Sequence, residues 1–177
     1  MALKPTIYKA NIALNDLDRN YFDSLELTIA QHPSENLERM MVRVLAYCLN
    51  AQDRLTFTAG ISTPDEPDIQ VMSLDDRMLS WIDVGEPAFD RIKKATRLAE
   101  KVKIYSFNTK SDIWWQKEQD KFSALNVEVY RFDWEQVKQL SILVERTMTL
   151  SMTISEQSIF ITADGGDCEV SWRQLTI

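Results

Sequence analysis

Histidine occurs once in this chain of 177 residues, cysteine twice, glycine four times and proline five times. The single His32 excludes a histidine-rich transition-metal centre. Two cysteines without paired spacing exclude a disulfide framework and a cysteine-ligated zinc site. Scarce glycine and proline, beside 45% hydrophobic and 27% charged residues, exclude a disordered or collagen-like chain. The opening residues MALKPTIYKANIAL lack the basic start and unbroken apolar run of a signal peptide, and no later stretch has the apolar length that spans a bilayer. These absences predict a soluble, cytoplasmic protein whose Cys48 and Cys168 are reduced and structural, with no membrane partner. Positive charge is short as well. A net charge of −7 argues against charge-driven adhesion to nucleic acid over the whole surface. A local basic stretch remains at RIKKATRLAEKVK, residues 91 to 103, and reads first as a solvated helix face.

What is present predicts a single domain over residues 1 to 177, of α/β class, with a mixed central sheet and flanking helices. TIYKANIALND and RNYFDSLELTIAQ, separated by an Asp and Asn cluster, read as an N-terminal hairpin. From Pro33 to Asn50 the apolar residues Leu37, Met40, Met41, Val44, Leu45 and Cys48 recur at helical spacing, with Ser34 as candidate N-cap. RLTFTAG, DIQVM and MLSWIDV follow as a three-strand meander. Gly85 and Pro87 then stop the strand and start a helix over about residues 88 to 101. KVKIYSF, KSDIWWQKEQDKF, NVEVYRF and DWEQVKQLSILVER alternate strand and helix, with Asp133 as cap of the last, which predicts some parallel pairing. TMTLSMTI, SIFITAD and CEVSWRQL form a C-terminal β-meander that is able to join the N-terminal hairpin in a second sheet.

Three acids stand on the interior side of successive elements. Asp83, flanked by Trp81, Ile82 and Val84, needs a partner if buried. Asp68 opens the neighbouring strand. At 100° per residue Glu38 falls between Leu45 and Leu49 inside the apolar arc of the first helix, while Glu35 falls just outside it. Carboxylates gathered in this way suit a hard cation, Mg²⁺ or Mn²⁺, able to activate water and polarise a phosphodiester. The same residues also permit a purely structural network, with Glu35 or Glu38 on Arg39 or Arg43 and Asp83 on Arg91. His32 reads as a residue leading into the helix. Glu86 reads as an acid favourable at a helix N-terminus, with a further ligand at the strand end as the alternative, and Trp114 and Trp115 as core packing with base stacking as the alternative.

The order of helix acid, Pro67-Asp68 and Asp83 resembles the core of the PD-(D/E)XK nuclease superfamily. HPSENLERMMVRVLA, DEPDIQV, WIDVGEP, RIKKA and DIWW together resemble the YaeQ family over nearly the whole chain. The resemblance implies a restriction-endonuclease-like core. It implies metal ligation by Asp68, Asp83 and Glu38, or else Glu35, and a phosphodiesterase acting on nucleic acid. Gly85 stands where the superfamily pattern has lysine. On the next helix Arg91 lies within the apolar stripe and Lys94 at its edge, so these two are the expected substitutes, Arg91 for charge stabilisation alone because it stays protonated. The alternative implied by Gly85 is a catalytically inactive nuclease-like fold serving as a binding or regulatory module.

Overall fold

The computed structural model describes residues 3 to 59 and 63 to 176. Two eleven-residue strands, β1 (Thr6–Asp16) and β2 (Tyr21–Gln31), form the expected hairpin, in register from Thr6 opposite Gln31 to Asp16 opposite Tyr21. Helix α1 (Leu37–Leu49) follows, then β3 (Leu55–Phe57), β4 (Ile69–Met72) and β5 (Met78–Val84) as an antiparallel meander. The chain then alternates through α2 (Phe89–Leu98), β6 (Ala99–Ser106), α3 (Ser111–Phe122), β7 (Glu128–Phe132) and α4 (Trp134–Ile142). It closes with β8 (Thr147–Ser155), β9 (Ser158–Ala163) and β10 (Gly166–Gln174).

All ten strands belong to one mixed sheet, ordered β2-β1-β8-β9-β10-β7-β6-β5-β4-β3. The C-terminal meander does join the N-terminal hairpin, through parallel pairing of β1 with β8. The result is not a separate second sheet, because β10 pairs with β9 over Gly166–Ser171 and then with β7 over Trp172–Gln174. Parallel pairing is confined elsewhere to β5, β6 and β7, the strands joined by the crossover helices α2 and α3.

Helix α1 fills the inside of this curved sheet. Met40 through Ala46 are all buried, so the helix has no solvent face along its middle, which is the mark of a core helix. Residues of β1, β2, β4, β5, β8 and β9 belong to the same core cluster around it. A second, smaller core lies on the other face of the parallel strands, where Trp81, Val102, Ile104 and Val129 meet Ile92, Ala95 and Phe122 of α2 and α3. The later halves of β5 and β6 are therefore covered on both faces, and Trp81 to Val84 and Ile104 to Ser106 are all buried.

Two boundaries differ from the sequence expectation. Helix α1 is capped by Asn36, whose side chain accepts the Arg39 N–H, and not by Ser34. Ser34 instead sits in the preceding turn, where its N–H donates to His32 Nδ1. Helix α2 ends at Leu98, three residues early, because Ala99 already pairs with Met78 in the sheet. Asp133 caps α4 as expected, accepting the Gln136 N–H at 3.0 Å. The two-residue turn Glu156-Gln157, both at positive φ, closes β8 on β9. Among the described residues no helix is long and apolar enough to cross a membrane.

Candidate functional site

The antiparallel register of β4 and β5 places Ile69 opposite Ile82. One step further along the same register, Asp68 faces Asp83, and the Asp68 N–H donates to Asp83 Oδ1 at 3.4 Å. Both carboxylates are buried. They lie at the wall of a cavity of about 300 Å³ outside the ends of β5 and β6, shared with Arg39, Gly85, Glu86, Arg91, Phe107 and Asn108. A crevice outside the carboxyl ends of parallel strands is where open α/β sheets commonly bind ligands.

Each acid is held by an arginine. Arg91, from α2, donates to Asp83 through Nε at 2.8 Å and Nη2 at 3.1 Å, and its guanidinium lies 5.2 Å from the Trp81 ring centre. Its remaining donors reach the Pro64 and Glu66 carbonyls, which ties the segment before β4 to the site. Arg39, from α1, places Nη2 at 2.9 Å from both Asp68 oxygens and 3.2 Å from the Val84 carbonyl. The Val84 N–H completes Asp68 at 2.8 Å. On its other side Arg39 Nη1 meets Glu35 at 2.6 Å, and Glu35 also receives two bonds from Arg43, at 2.5 and 2.9 Å. Glu35, Arg39 and Arg43 are four residues apart, so they line one side of α1 and its lead-in.

Burial, with Asp68 alongside, pushes the Asp83 carboxyl above the usual range even though Arg91 opposes the shift. For Arg39 and Arg91, burial alone would lower the pKa, but the facing carboxylates outweigh it and raise both. Glu86 is also pushed up by burial, against the stabilising hydrogen bonds of Ser111 Oγ at 3.0 Å and the Asn108 backbone N–H at 3.4 Å. Cys48, fully buried, has its thiol pushed up to about 12, and Cys168 to about 11; both are free, as expected of structural thiols.

The sequence model of the family described as "YaeQ protein" matches residues 1 to 172. The chain belongs to the YaeQ family. This YaeQ-family chain is 42% identical over 179 residues to "Uncharacterized protein YaeQ" of Escherichia coli (strain K12), a match covering 98% of this chain and 99% of that protein. The Shigella flexneri protein of the same description matches to the same extent. Among solved structures, YaeQ protein from Xanthomonas axonopodis pv. citri superposes with a TM-score of 0.94 at 32% identity, covering 97% of this chain and 98% of that one. YaeQ protein from Pseudomonas syringae gives 0.93 at 37% identity, covering 98% and 97%.

Within this YaeQ fold the expected site residues separate. Asp68, Asp83 and Arg91 come together at the cavity. Glu35 connects to them through Arg39, and it, not Glu38, is the buried acid at the start of α1. Glu38 is half-buried in the first turn and has no ion-pair partner among the described residues. The helical-arc placement of Glu38 fails because α1 is enclosed on all sides, so an apolar arc does not select one face, and its first turn lies outside the enclosure. Lys94 points away from the cavity and pairs with Asp65. Trp114 and Trp115 both pack on the smaller core, and the Trp114 indole N–H donates to the Pro87 carbonyl at 3.0 Å. Glu86 faces the cavity and accepts hydrogen bonds from residues at the end of β6 and the start of α3.

In this arrangement the side chains do not fit a divalent cation. The oxygens of Asp68 and Asp83 carry guanidinium and amide donors, and among the described residues no group of three or more His, Cys, Asp or Glu is placed to hold a metal. Gly85 has a physical reason to be glycine. Its φ of +108°, with its N–H donating to the Tyr105 carbonyl at 2.8 Å, is a conformation that L side chains rarely adopt. The cavity residues missed in the sequence, Phe107 and Asn108, arrive from the end of β6 through parallel pairing, for which the sequence carries no local signal. The spacing of Glu35, Arg39 and Arg43 was a readable signal for the network on α1.

Proposed function

We propose that the chain is a nuclease-like fold of the PD-(D/E)XK kind that binds nucleic acid without cleaving it. The observation that carries this reading is the matching of Asp68 with Arg39 and of Asp83 with Arg91. A cleaving site of this class requires those acids to be free for metal, and a lysine where the backbone of Gly85 takes a left-handed form. Arg39 and Arg91 remain partly exposed on the cavity wall and are permanently charged donors suited to phosphate oxygens. The test is incubation of the purified protein with Mg²⁺ or Mn²⁺ and single- or double-stranded DNA and RNA, alongside calorimetric titration with Mn²⁺. We expect binding without cleavage, and no Mn²⁺ heat at millimolar concentration. Cleavage that disappears in Asp83→Ala would overturn it.

A second reading, a Mg²⁺- or Mn²⁺-dependent phosphodiesterase, is favoured by the presence of Asp68, Asp83 and Glu86 on one cavity wall. It requires Arg91 to leave Asp83. Under it, Arg91→Gln acquires Mn²⁺ binding that Asp68→Ala in the same background abolishes. A regulatory module that engages a protein is the outcome indicated if no nucleic acid binds.

A further inference from the structure

A second cavity, of about 340 Å³, opens at the end of β7, where β10 leaves β9 and takes β7 as its neighbour. Its wall includes Arg131, Trp134, Trp172 and Arg173. The register places Arg173 directly opposite Arg131, and like charges facing each other across neighbouring strands destabilise the pair. Asp112 of α3 answers Arg131. Arg173 is exposed and has no acid partner among the described residues. The acid on the wall, Asp133, is committed to the cap of α4. Positive charge is therefore left over at this point on a chain whose net charge is −7. Trp134 lies 6.0 Å from Phe107, ring centre to ring centre, and Phe107 lines the first cavity, so one aromatic contact links the walls of the two cavities.

We propose that this cavity holds one nucleotide of a single-stranded nucleic acid, its phosphate at Arg131 and Arg173 and its base against Trp134 and Trp172. Trp172 and Arg173 leave opposite faces of β10 where it passes from β9 to β7, and both line the cavity, which suits a ligand that carries flat ring and charge as separate parts. A nucleotide does so, whereas inorganic phosphate lacks the ring. Duplex bases are covered by their neighbours, and those of a single strand are free to stack on tryptophan. Such stacking supplies affinity that an acidic protein does not draw from charge alone. The proposal rests on the nucleic-acid reading above and adds to it the strand form and a second site.

The test is fluorescence anisotropy of a labelled oligothymidylate and of the corresponding duplex, titrated with wild-type protein, Arg173→Glu and Arg173→Ala over a range of salt. Arg173 is exposed and faces Arg131 as a like charge, so neither variant should melt below the wild type. We expect the single strand to be preferred, Arg173→Glu to weaken it by about tenfold, and Arg173→Ala to reduce the slope of log affinity against log salt by about one. Single-strand binding that is unchanged in both Arg173 variants overturns this site while sparing the nucleic-acid reading, and its loss in Arg91→Gln then assigns it to the first cavity. Binding of duplex alone overturns this site, and no binding of any DNA or RNA, single- or double-stranded, by the wild-type protein overturns both.

Discussion

Helix α1 is pinned at its two ends by the same chemistry, with different consequences. At its C-terminal end Arg19, from the β1-β2 turn, donates to the Ala51 and Cys48 carbonyls at 2.9 and 3.2 Å and to buried Asp16 at 2.6 Å. At its N-terminal end Glu35, Arg39 and Arg43 lock the lead-in to the helix and, through Asp68, to the sheet. The first network ends on the Cys48 carbonyl in the last turn of α1 and the Ala51 carbonyl just beyond it, and none of its residues lines a described cavity. The second opens onto about 300 Å³ of space. A buried carboxylate held by arginine is therefore a structural device in both places, and the adjoining cavity is what makes one of them a candidate for binding.

The largest expected effect comes from breaking the N-terminal network. Glu35→Ala leaves Arg43 buried and uncompensated, and should cost about 3 to 5 kcal/mol in chemical denaturation. Arg19→Ala, at the other end, removes charged hydrogen bonds to two carbonyls and to Asp16, with an expected loss of about 2 kcal/mol. It should leave nucleic-acid affinity unchanged, and a change in affinity would collapse the distinction between the two ends. Gly85→Ala should cost roughly 1 kcal/mol through backbone strain alone, because an added Cβ meets nothing within 4 Å. A larger loss would show that the cavity wall is tighter than its geometry indicates.

The smallest effect concerns pH. Burial raises the Glu86 pKa above its ordinary 4.5, so the unfolded chain gives up this proton at lower pH than the folded one. Glu86 therefore adds most to stability below the unfolded pKa, and that contribution is lost as pH rises through the folded value. Glu86→Gln should thus raise the melting temperature slightly near neutral pH, with the advantage shrinking below about pH 4.5. A Glu86→Gln protein that melts lower near pH 7 would show that its charge, not its hydrogen bonding, holds Asn108 and Ser111.

Much of the architecture could be read from local pattern. The long alternating runs of β1, β2 and β8 follow from period-two burial, with Ala10, Ile12 and Leu14 inside and their neighbours out. Asp133 announced α4 as a side-chain cap. Within the candidate site, Asp83 among apolar neighbours signalled a buried acid, and Arg91 within the stripe of α2 signalled its partner. Glu38 misled because a helix enclosed on every side offers no single inner face from which to judge an acid. Lys94 misled because one step around the helix from the stripe is enough to send a long side chain to Asp65 at the surface.

By itself the sequence determined the order of the elements, the burial of Asp83, and Arg91 as its partner, since these depend on periodicity and on the cost of leaving charge unpaired in an apolar setting. Tertiary structure alone decided that β10 joins two halves into one sheet. It also decided that Asp68 meets Asp83 across a register, that Glu35 in place of Glu38 reaches them through Arg39, and that Arg131 faces Arg173. These are pairings between residues distant along the chain, fixed by strand register and by the enclosure of α1, and no local stretch of residues encodes either.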